Sequence, residues 1–213
     1  KSDKGGSDAI IEEQYIELCK KAGVTPEYIE EYGDVTRTIY QRSFWSDLLV
    51  LRLSYPPPIL SFRRFGSGLR TIIRLVRTPL MVVPPTAHHH LSRVLLAYGG
   101  GRKADEALFI AAYLASRWKA ELYVVTVRRE GIDEHDLAEK AKNYLDSHNA
   151  VGAKYIEMKS ISPVEAILQV SNKEACDLIL MGGYEGGYFR ELVFGSTVDR
   201  VLQKTTCSVM ICH

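Results

Sequence analysis

The chain has 213 residues, of which 46% are hydrophobic and 25% are charged, and its formal net charge is +1. These values are typical of an ordinary globular protein with one large or two modest domains. No apolar run reaches the roughly 18 to 20 residues of a membrane span, and no signal peptide opens the sequence. We therefore expect a cytoplasmic protein with no membrane span in this chain.

The cysteines predict reduced thiols rather than disulfides or a metal site. Cys19, Cys176, Cys207 and Cys212 form no CxxC pair, and three of them lie in apolar or helical contexts. Neither alternative has support from a motif, so buried thiols of a cytosolic protein are the expected state.

Charge is distributed unevenly along the chain. Between Arg37 and Arg93 there are nine arginines, no lysine and a single acidic residue, Asp47. Such a stretch can attract nucleic acid, acidic protein or a phosphate ligand. Because no nucleic-acid motif and little aromatic interleaving accompany it, we favour solvated helix faces and loop tips over nucleic-acid binding.

The first 83 residues show alternating signals for helices and strands. Apolar residues at helical spacing indicate helices, and short apolar runs indicate strands. The predicted elements are a helix over Ser7–Ala22, a candidate strand over Tyr28–Tyr32, a helix over Val35–Trp45, a strand over Asp47–Leu51, a helix after Phe65-Gly66-Ser67, and a strand over Thr78–Val83.

A linker is predicted next, over Pro84–His90. Its three adjacent histidines, His88, His89 and His90, raise metal binding as an alternative. Neighbouring side chains cannot all face one ion without distortion, so we expect an exposed linker.

The remaining residues alternate strands and helices regularly. Predicted strands cover Arg93–Tyr98, Glu121–Val127, Lys154–Lys159, Asp177–Met181 and Ser208–Cys212, and predicted helices cover Lys103–Trp118, Asp133–His148, Ser162–Ala175 and the residues after Gly195-Ser196. Five strands alternating with four helices predict an α/β fold. We expect a doubly wound, five-stranded parallel sheet with right-handed crossovers and helices on both faces.

A glycine-rich segment after the Asp177–Met181 strand carries the main functional signal. Gly182–Gly187 contains four glycines, which allow backbone N–H groups to approach a ligand closely. Gly195-Ser196 then opens a helix whose first amides and dipole favour an anion. Strand, glycine loop and helix start together predict a phosphate cradle.

An order of strand, loop, Phe-Gly-Ser, helix and strand occurs twice in the chain. Phe65-Gly66-Ser67 matches Phe194-Gly195-Ser196 at an offset of 129, and Leu80-Met81-Val82 matches Val209-Met210-Ile211 at the same offset. We therefore predict two repeats of one α/β unit, a partial one over residues 1–86 and a complete one over residues 91–213. The partial repeat lacks a first strand, first helix and second strand, which predicts a fragment or omitted disordered segments.

On these residues the chain resembles the universal stress protein family. The family's Gly-x2-Gly-x9-Gly-(Ser/Thr) motif lies between the fourth strand and the last helix. When the motif is counted from Gly182, Glu185 occupies the position of the motif's second glycine. Counted from Gly183, it places Gly186 correctly but leaves only eight residues before Gly195. ATP-binding members also place an aspartate after the first strand, where this chain has glycine.

The resemblance implies a nucleotide site in the second repeat and leaves ATP occupancy open. Glu185 would bring negative charge toward a phosphate unless the loop turns it outward, and Gly99 cannot accept the hydrogen bonds of the missing aspartate. Magnesium would enter only with the nucleotide. The implied cofactor-binding residues are Tyr98, Gly99, Val127, Met181, Gly182, Gly183, Gly186, Gly195, Ser196 and Thr197, with Val127 and Met181 beside the adenine. No binding is expected in the first repeat, which has no glycine pair before Gly66.

The resemblance further implies a non-enzymatic binding or regulatory module in stress response. No nucleophile, base or paired-carboxylate arrangement is evident, and Ser67 and Ser196 are better explained as helix-start hydroxyls. The last strands, Leu80–Val83 and Val209–Cys212, are expected to pair within one chain as a pseudo-dimer or between chains of a homo-oligomer, and a protein partner is the other expected contact. The alternatives are a nucleotide-independent regulatory domain of a larger protein such as a transporter, and a weak ATP hydrolase.

Overall fold

The computed structural model describes residues 6–53, 68–87, 91–128, 137–159, 161–184 and 197–213. The first half, as we term residues 6–87, contains α1 (Gly6–Lys21), α2 (Val35–Ser43), β1 (Leu49–Arg52), α3 (Gly68–Leu75) and β2 (Leu80–Val83). The second half, residues 91–213, contains β3 (Arg93–Ala97), α4 (Arg102–Trp118), β4 (Glu121–Arg128), α5 (Leu137–Ser147), β5 (Lys154–Lys159), α6 (Pro163–Lys173), β6 (Leu178–Gly182), α7 (Thr197–Lys204) and β7 (Ser208–Cys212).

All of these strands belong to one seven-stranded sheet with the order β1-β2-β7-β6-β3-β4-β5. The five strands of the second half are mutually parallel, as the alternation of strands and helices predicted. The sheet is larger than the predicted five strands because β2 pairs with β7 and brings β1 with it.

The predicted strand over Tyr28–Tyr32 is wrong, since residues 24–32 contain no strand. Its counterpart in the second half is β5, which forms a parallel ladder with β4. Within the described residues the first half has no counterpart of β4. A strand without a neighbouring strand leaves its backbone N–H and C=O groups unpaired. An apolar segment therefore does not form a strand on its own.

The two halves meet where β2 and β7 pair in antiparallel fashion. Met81 lies opposite Met210, while Leu80 lies opposite Ile211 and Val82 opposite Val209. Leu80-Met81-Val82 and Val209-Met210-Ile211 match in sequence at an offset of 129, so this register has a local two-fold axis between the two methionines. The predicted pairing of the last strands is therefore present within the chain.

Two apolar layers cover the sheet, one on each face. Leu95, Ile179 and Ile211 point into the layer formed with α2, α3, α6 and α7. Leu96 and Leu180 point into the other layer, against α4 and α5. Helices on both faces of the five parallel strands of the second half confirm the predicted doubly wound α/β fold. No helix in the described ranges has both the length and the apolarity that crossing a bilayer would need.

Local signals explain where several helices begin. Ser162 caps α6 by accepting from the Glu165 amide, Glu165 accepts in return from the Ser162 amide, and Pro163 occupies the first turn. Asp34 caps α2 in a similar way, accepting from the Arg37 amide at 2.8 Å. Residues of α6 and α2 belong to the apolar layer on the same face of the sheet.

Candidate functional site

The strand order reverses direction between β3 and β6. From β3 the chain proceeds outward to β4 and β5, and it then returns to place β6 and β7 on the other side of β3. Ala97 at the end of β3 lies opposite Met181 near the end of β6. In open α/β sheets, ligands bind in the crevice beyond the carboxyl ends of the strands at such a switch point.

Five of the predicted cofactor-binding residues lie at or just beyond the carboxyl ends of these two strands. Tyr98 and Gly99 follow β3, and Met181, Gly182 and Gly183 are at the end of β6. Val127 lies near the same end of β4, and Thr197 is the first residue of α7. The other three predicted residues, Gly186, Gly195 and Ser196, lie outside the described residues, as do Glu185 and the histidines of the linker.

The glycines at the end of β6 allow close packing of neighbouring backbone. A Cβ atom on Gly182 would lie 3.0 Å from the Ala104 nitrogen, and one on Gly183 would lie 2.9 Å from the Cys212 carbonyl oxygen. The Gly183 amide donates to that same oxygen at 2.6 Å. A side chain at either position would therefore crowd neighbouring backbone. Close packing is thus a reason for glycine at both positions, in addition to the approach of a ligand.

Gly99 differs, because a Cβ atom placed there has no neighbouring atom within 4 Å. The turn after β3 therefore has room for a side chain, although the sequence supplies none. The carboxylate expected of an ATP-binding relative is absent for no steric reason.

The N-terminus of α4 lies directly beside Gly182. Its cap residue, Gly101, has a φ of 85° and provides no side-chain hydrogen bond to the first turn. Lys103 in that turn donates from Nζ to the carbonyl oxygen of Tyr184 at 2.7 Å. A helix N-terminus and an ammonium group thus create positive potential next to the end of β6.

His213 and Glu106 adjoin this positive region. Desolvation and the nearby Lys103 charge lower the pKa of His213 to about 4, so its ring is neutral at pH 7. The backbone amide of His213 donates to Glu106 at 3.0 Å, and desolvation raises the pKa of that carboxyl. Neither residue was identified from the sequence, because each acts through tertiary contacts.

Tyr98 has a side chain that belongs to the core rather than to the crevice. It is 1% exposed, and its hydroxyl donates to Asp105 at 2.6 Å. Lys140 donates to both oxygens of the same carboxylate. Desolvation and the hydrogen bond to Asp105 raise the pKa of Tyr98 to about 12. Only the backbone of Tyr98 is therefore available at the crevice, and Asp105 is committed to Tyr98 and Lys140.

A second polar cluster, which sequence reasoning missed, joins the two halves beside β6. The Tyr184 hydroxyl donates to Asp199 at 2.7 Å, and Arg70 on α3 pairs with the other oxygen of Asp199 at 2.9 Å. The Arg74 guanidinium carbon lies 5.1 Å from the centroid of the Tyr184 ring. Burial alone would lower the pKa of Arg70, but the contacts with Asp199 outweigh it and raise that pKa.

Several arginines of the Arg37–Arg93 stretch thus form ion pairs within the protein. Arg70 pairs with Asp199, Arg42 with Glu31 and Arg93 with Glu121. All four cysteines are free thiols, and no group of three metal-ligating side chains comes together in the described part of the chain.

The fold and the switch-point crevice define a doubly wound α/β protein of the kind that places ligands beyond its strand ends. A family model described as the universal stress protein family matches residues 90–213, more than half of the chain. The chain belongs to this family, as the resemblance predicted.

Individual relatives agree with this assignment. The chain is 29% identical to universal stress protein Slr1230 of Synechocystis over 145 residues, which are 68% of this chain and 50% of that relative. The chain thus spans half the length of that protein. A universal stress protein structure from Archaeoglobus fulgidus covers 97% of this chain and 75% of its own at 20% identity and a TM-score of 0.77. A universal stress protein in complex with cAMP covers 57% and 96%, respectively, at 18% identity and a TM-score of 0.51.

Proposed function

We propose that this chain is a non-enzymatic stress-response module that binds an adenine nucleotide between β3 and β6. The observation that carries the proposal is the switch point itself, where the Tyr98–Gly99 turn and Gly182–Gly183 lie at adjacent strand ends. Lys103 and the first turn of α4 supply positive potential beside it. The structural relative with bound cAMP supports an adenine nucleotide as the ligand class.

ATP, with magnesium as its counterion, is the nucleotide we propose first. Its phosphates would interact with the backbone amides of Gly182, Gly183 and Thr197, together with Gly186, Gly195 and Ser196 of the sequence motif. The adenine would lie beside Val127 and Met181. We propose that the nucleotide acts through binding and conformational signalling rather than through hydrolysis.

We further propose that the two halves descend from one repeated unit and form a pseudo-dimer in the cytoplasm. Apart from β5, which has no counterpart strand, the order α1, α2, β1, α3, β2 corresponds to α5, α6, β6, α7, β7. The helices α3 and α7 have equal lengths at an offset of 129 residues. The antiparallel contact between β2 and β7, symmetric about Met81 and Met210, supports this origin.

Calorimetric titration with MgATP and with cAMP tests the ligand, using a gain-of-function variant. Gly99→Asp introduces the missing carboxylate where a Cβ atom meets nothing within 4 Å. A hydrogen bond to a charged group contributes about 1.5–3 kcal/mol, so the dissociation constant should fall roughly 10- to 100-fold. Gly99→Ala is the matched control and should leave affinity unchanged.

Two outcomes would count against the proposal. No heat of binding from the wild type or Gly99→Asp would favour a nucleotide-independent, protein-interacting module. Binding that Gly99→Asp leaves unchanged would place the nucleotide away from the turn after β3. Mass spectrometry of nucleotide released from the denatured wild-type protein gives an independent reading of occupancy.

A further inference from the structure

The cluster that joins α3 to α7 presents opposite charges at corresponding positions of the two halves. Arg70 is the third residue of α3 and Asp199 is the third residue of α7, and the two are 129 residues apart. The local two-fold axis between β2 and β7 relates these helices. A two-fold contact between identical halves would place like residues at both positions, whereas this chain forms an ion pair of 2.9 Å.

The position of Asp199 allows its charge to influence an anion bound at the start of α7. It is in the first turn of α7, two residues after Thr197, and its side chain is only 4% exposed. A carboxylate in the first turn interacts favourably with helix amides and competes there with an external anion. Left unpaired, its charge would also repel a phosphate bound at the same helix start.

Arg70 and Tyr184 both hold this carboxylate, and Arg70 also opposes its charge. Arg70 supplies the opposite charge from the first half, and the Tyr184 hydroxyl occupies the other carboxylate oxygen. Tyr184 directly follows Gly182–Gly183, and its ring lies under the Arg74 guanidinium. The first half therefore contacts both boundaries of the proposed phosphate site, the end of β6 and the start of α7.

We propose that Arg70 is a positioning residue that makes the second half selective for phosphorylated ligands. It cancels the charge of Asp199 and holds that carboxylate against Tyr184, which leaves the first amides of α7 to an anion. This inference rests on the nucleotide binding proposed above and adds to it that the first half sets the strength of phosphate recognition in the second.

The test compares a charged with an uncharged ligand, because a purely structural role would affect both. The dissociation constants of MgATP and adenosine are measured by calorimetry for the wild type and for Arg70→Met. Loss of the Arg70 charge beside Asp199 should weaken ATP binding about 10-fold or more through repulsion of the phosphates, while adenosine affinity stays within about twofold. Arg42→Met is the control, since Arg42 is a first-half cation that pairs with Glu31 instead.

Two further variants keep the test decisive if Arg70→Met folds poorly. Arg70→Lys retains the charge and should retain most of the preference for ATP over adenosine. The double variant Arg70→Met/Asp199→Asn removes both charges and should restore that preference to within about threefold of the wild type. Melting temperatures of all variants identify any that are unfolded.

Each result has a distinct meaning. Equal losses of ATP and adenosine affinity, or an unchanged preference in Arg70→Met, would overturn the role of Arg70 while leaving nucleotide binding intact. Failure of the folded double variant to recover ATP preference would also overturn it. Absence of ATP and adenosine binding in the wild type would overturn the proposed function, and this inference with it.

Discussion

The first half has the same order of helices and strands as the last part of the second half, apart from β5, but the two halves bury these elements to very different extents. β6 is buried from Leu178 through Met181, whereas β1 alternates between half-buried and exposed residues. β6 lies between β3 and β7 and has helices on both faces, whereas β1 is at the edge of the sheet. The same local element therefore becomes core or surface according to its neighbours.

The strand register identifies which residues correspond. Leu49 lies opposite Leu80 and Ile179 lies opposite Val209, so Val50 corresponds to Leu180. Leu180 is fully buried beneath α4, while Val50 is 58% exposed. The difference arises because, within the described residues, the first half has no counterpart of α4 to cover that face.

Thiol reactivity should show the largest contrast between the halves. Desolvation raises the pKa of Cys176 and of Cys212 to about 12, from 9.0, and both thiols are buried. Since the thiolate is the reactive form, that rise lowers its population at pH 8 about 1000-fold. Cys19 on α1 is only partly buried, so it should react first with a disulfide reagent in the native protein.

Mass mapping of the labelled peptides assigns each reacted thiol. Modification of Cys176 or Cys212 at the rate of Cys19 would show that the second half opens readily. Labelling in denaturant is the control and should reach all four thiols.

Truncation of the corresponding strand residues should give the next largest effect. Leu180→Ala removes a fully buried side chain between the sheet and α4 and should lower the free energy of unfolding by about 2–5 kcal/mol. Val50→Ala removes a mostly exposed one and should cost less than about 0.5 kcal/mol. Denaturant titration measures both, and similar losses in the two variants would contradict the difference in burial.

A methyl group at the end of β6 should have a smaller but measurable cost. Gly183→Ala would place Cβ 2.9 Å from the Cys212 carbonyl oxygen, so β6 and β7 must separate slightly. We expect a loss of about 1–3 kcal/mol, in the range of overpacked sites. Gly99→Ala, whose Cβ meets open space, serves as the matched control. Equal stability of the two variants would show that the loop absorbs the methyl group without strain.

Removal of the helix caps should change stability least and should differ least between the two halves. Ser162→Ala and Asp34→Ala each remove a side-chain acceptor from the first turn of α6 or α2. Each should cost about 0.5–2 kcal/mol, with similar values in both halves, because a cap acts through bonds within its own helix. A cost confined to Ser162→Ala, measured by thermal unfolding, would indicate that α2 is not cooperatively folded with the second half.

The sequence by itself determined the local elements of the described second half and the family. Periodicity located every strand and helix of the described second half to within a few residues, because the same apolar faces that form the pattern are buried on folding. The Ser-Pro-x-Glu start of α6 specified its own capping box. The glycines after β6 and the short apolar strand before them indicated the crevice, since parallel strands must end at one edge of the sheet.

Tertiary structure alone decided which of these elements are supported and which side chains reach the site. Tyr28–Tyr32 forms no strand because the described residues of the first half include no neighbouring strand to pair with it. Tyr98 turns into the core because Asp105, on the next helix, accepts its hydroxyl. Arg70 and Asp199 meet because the antiparallel contact of β2 with β7 brings α3 beside α7, and residues 129 positions apart carry no local signal that they will form an ion pair.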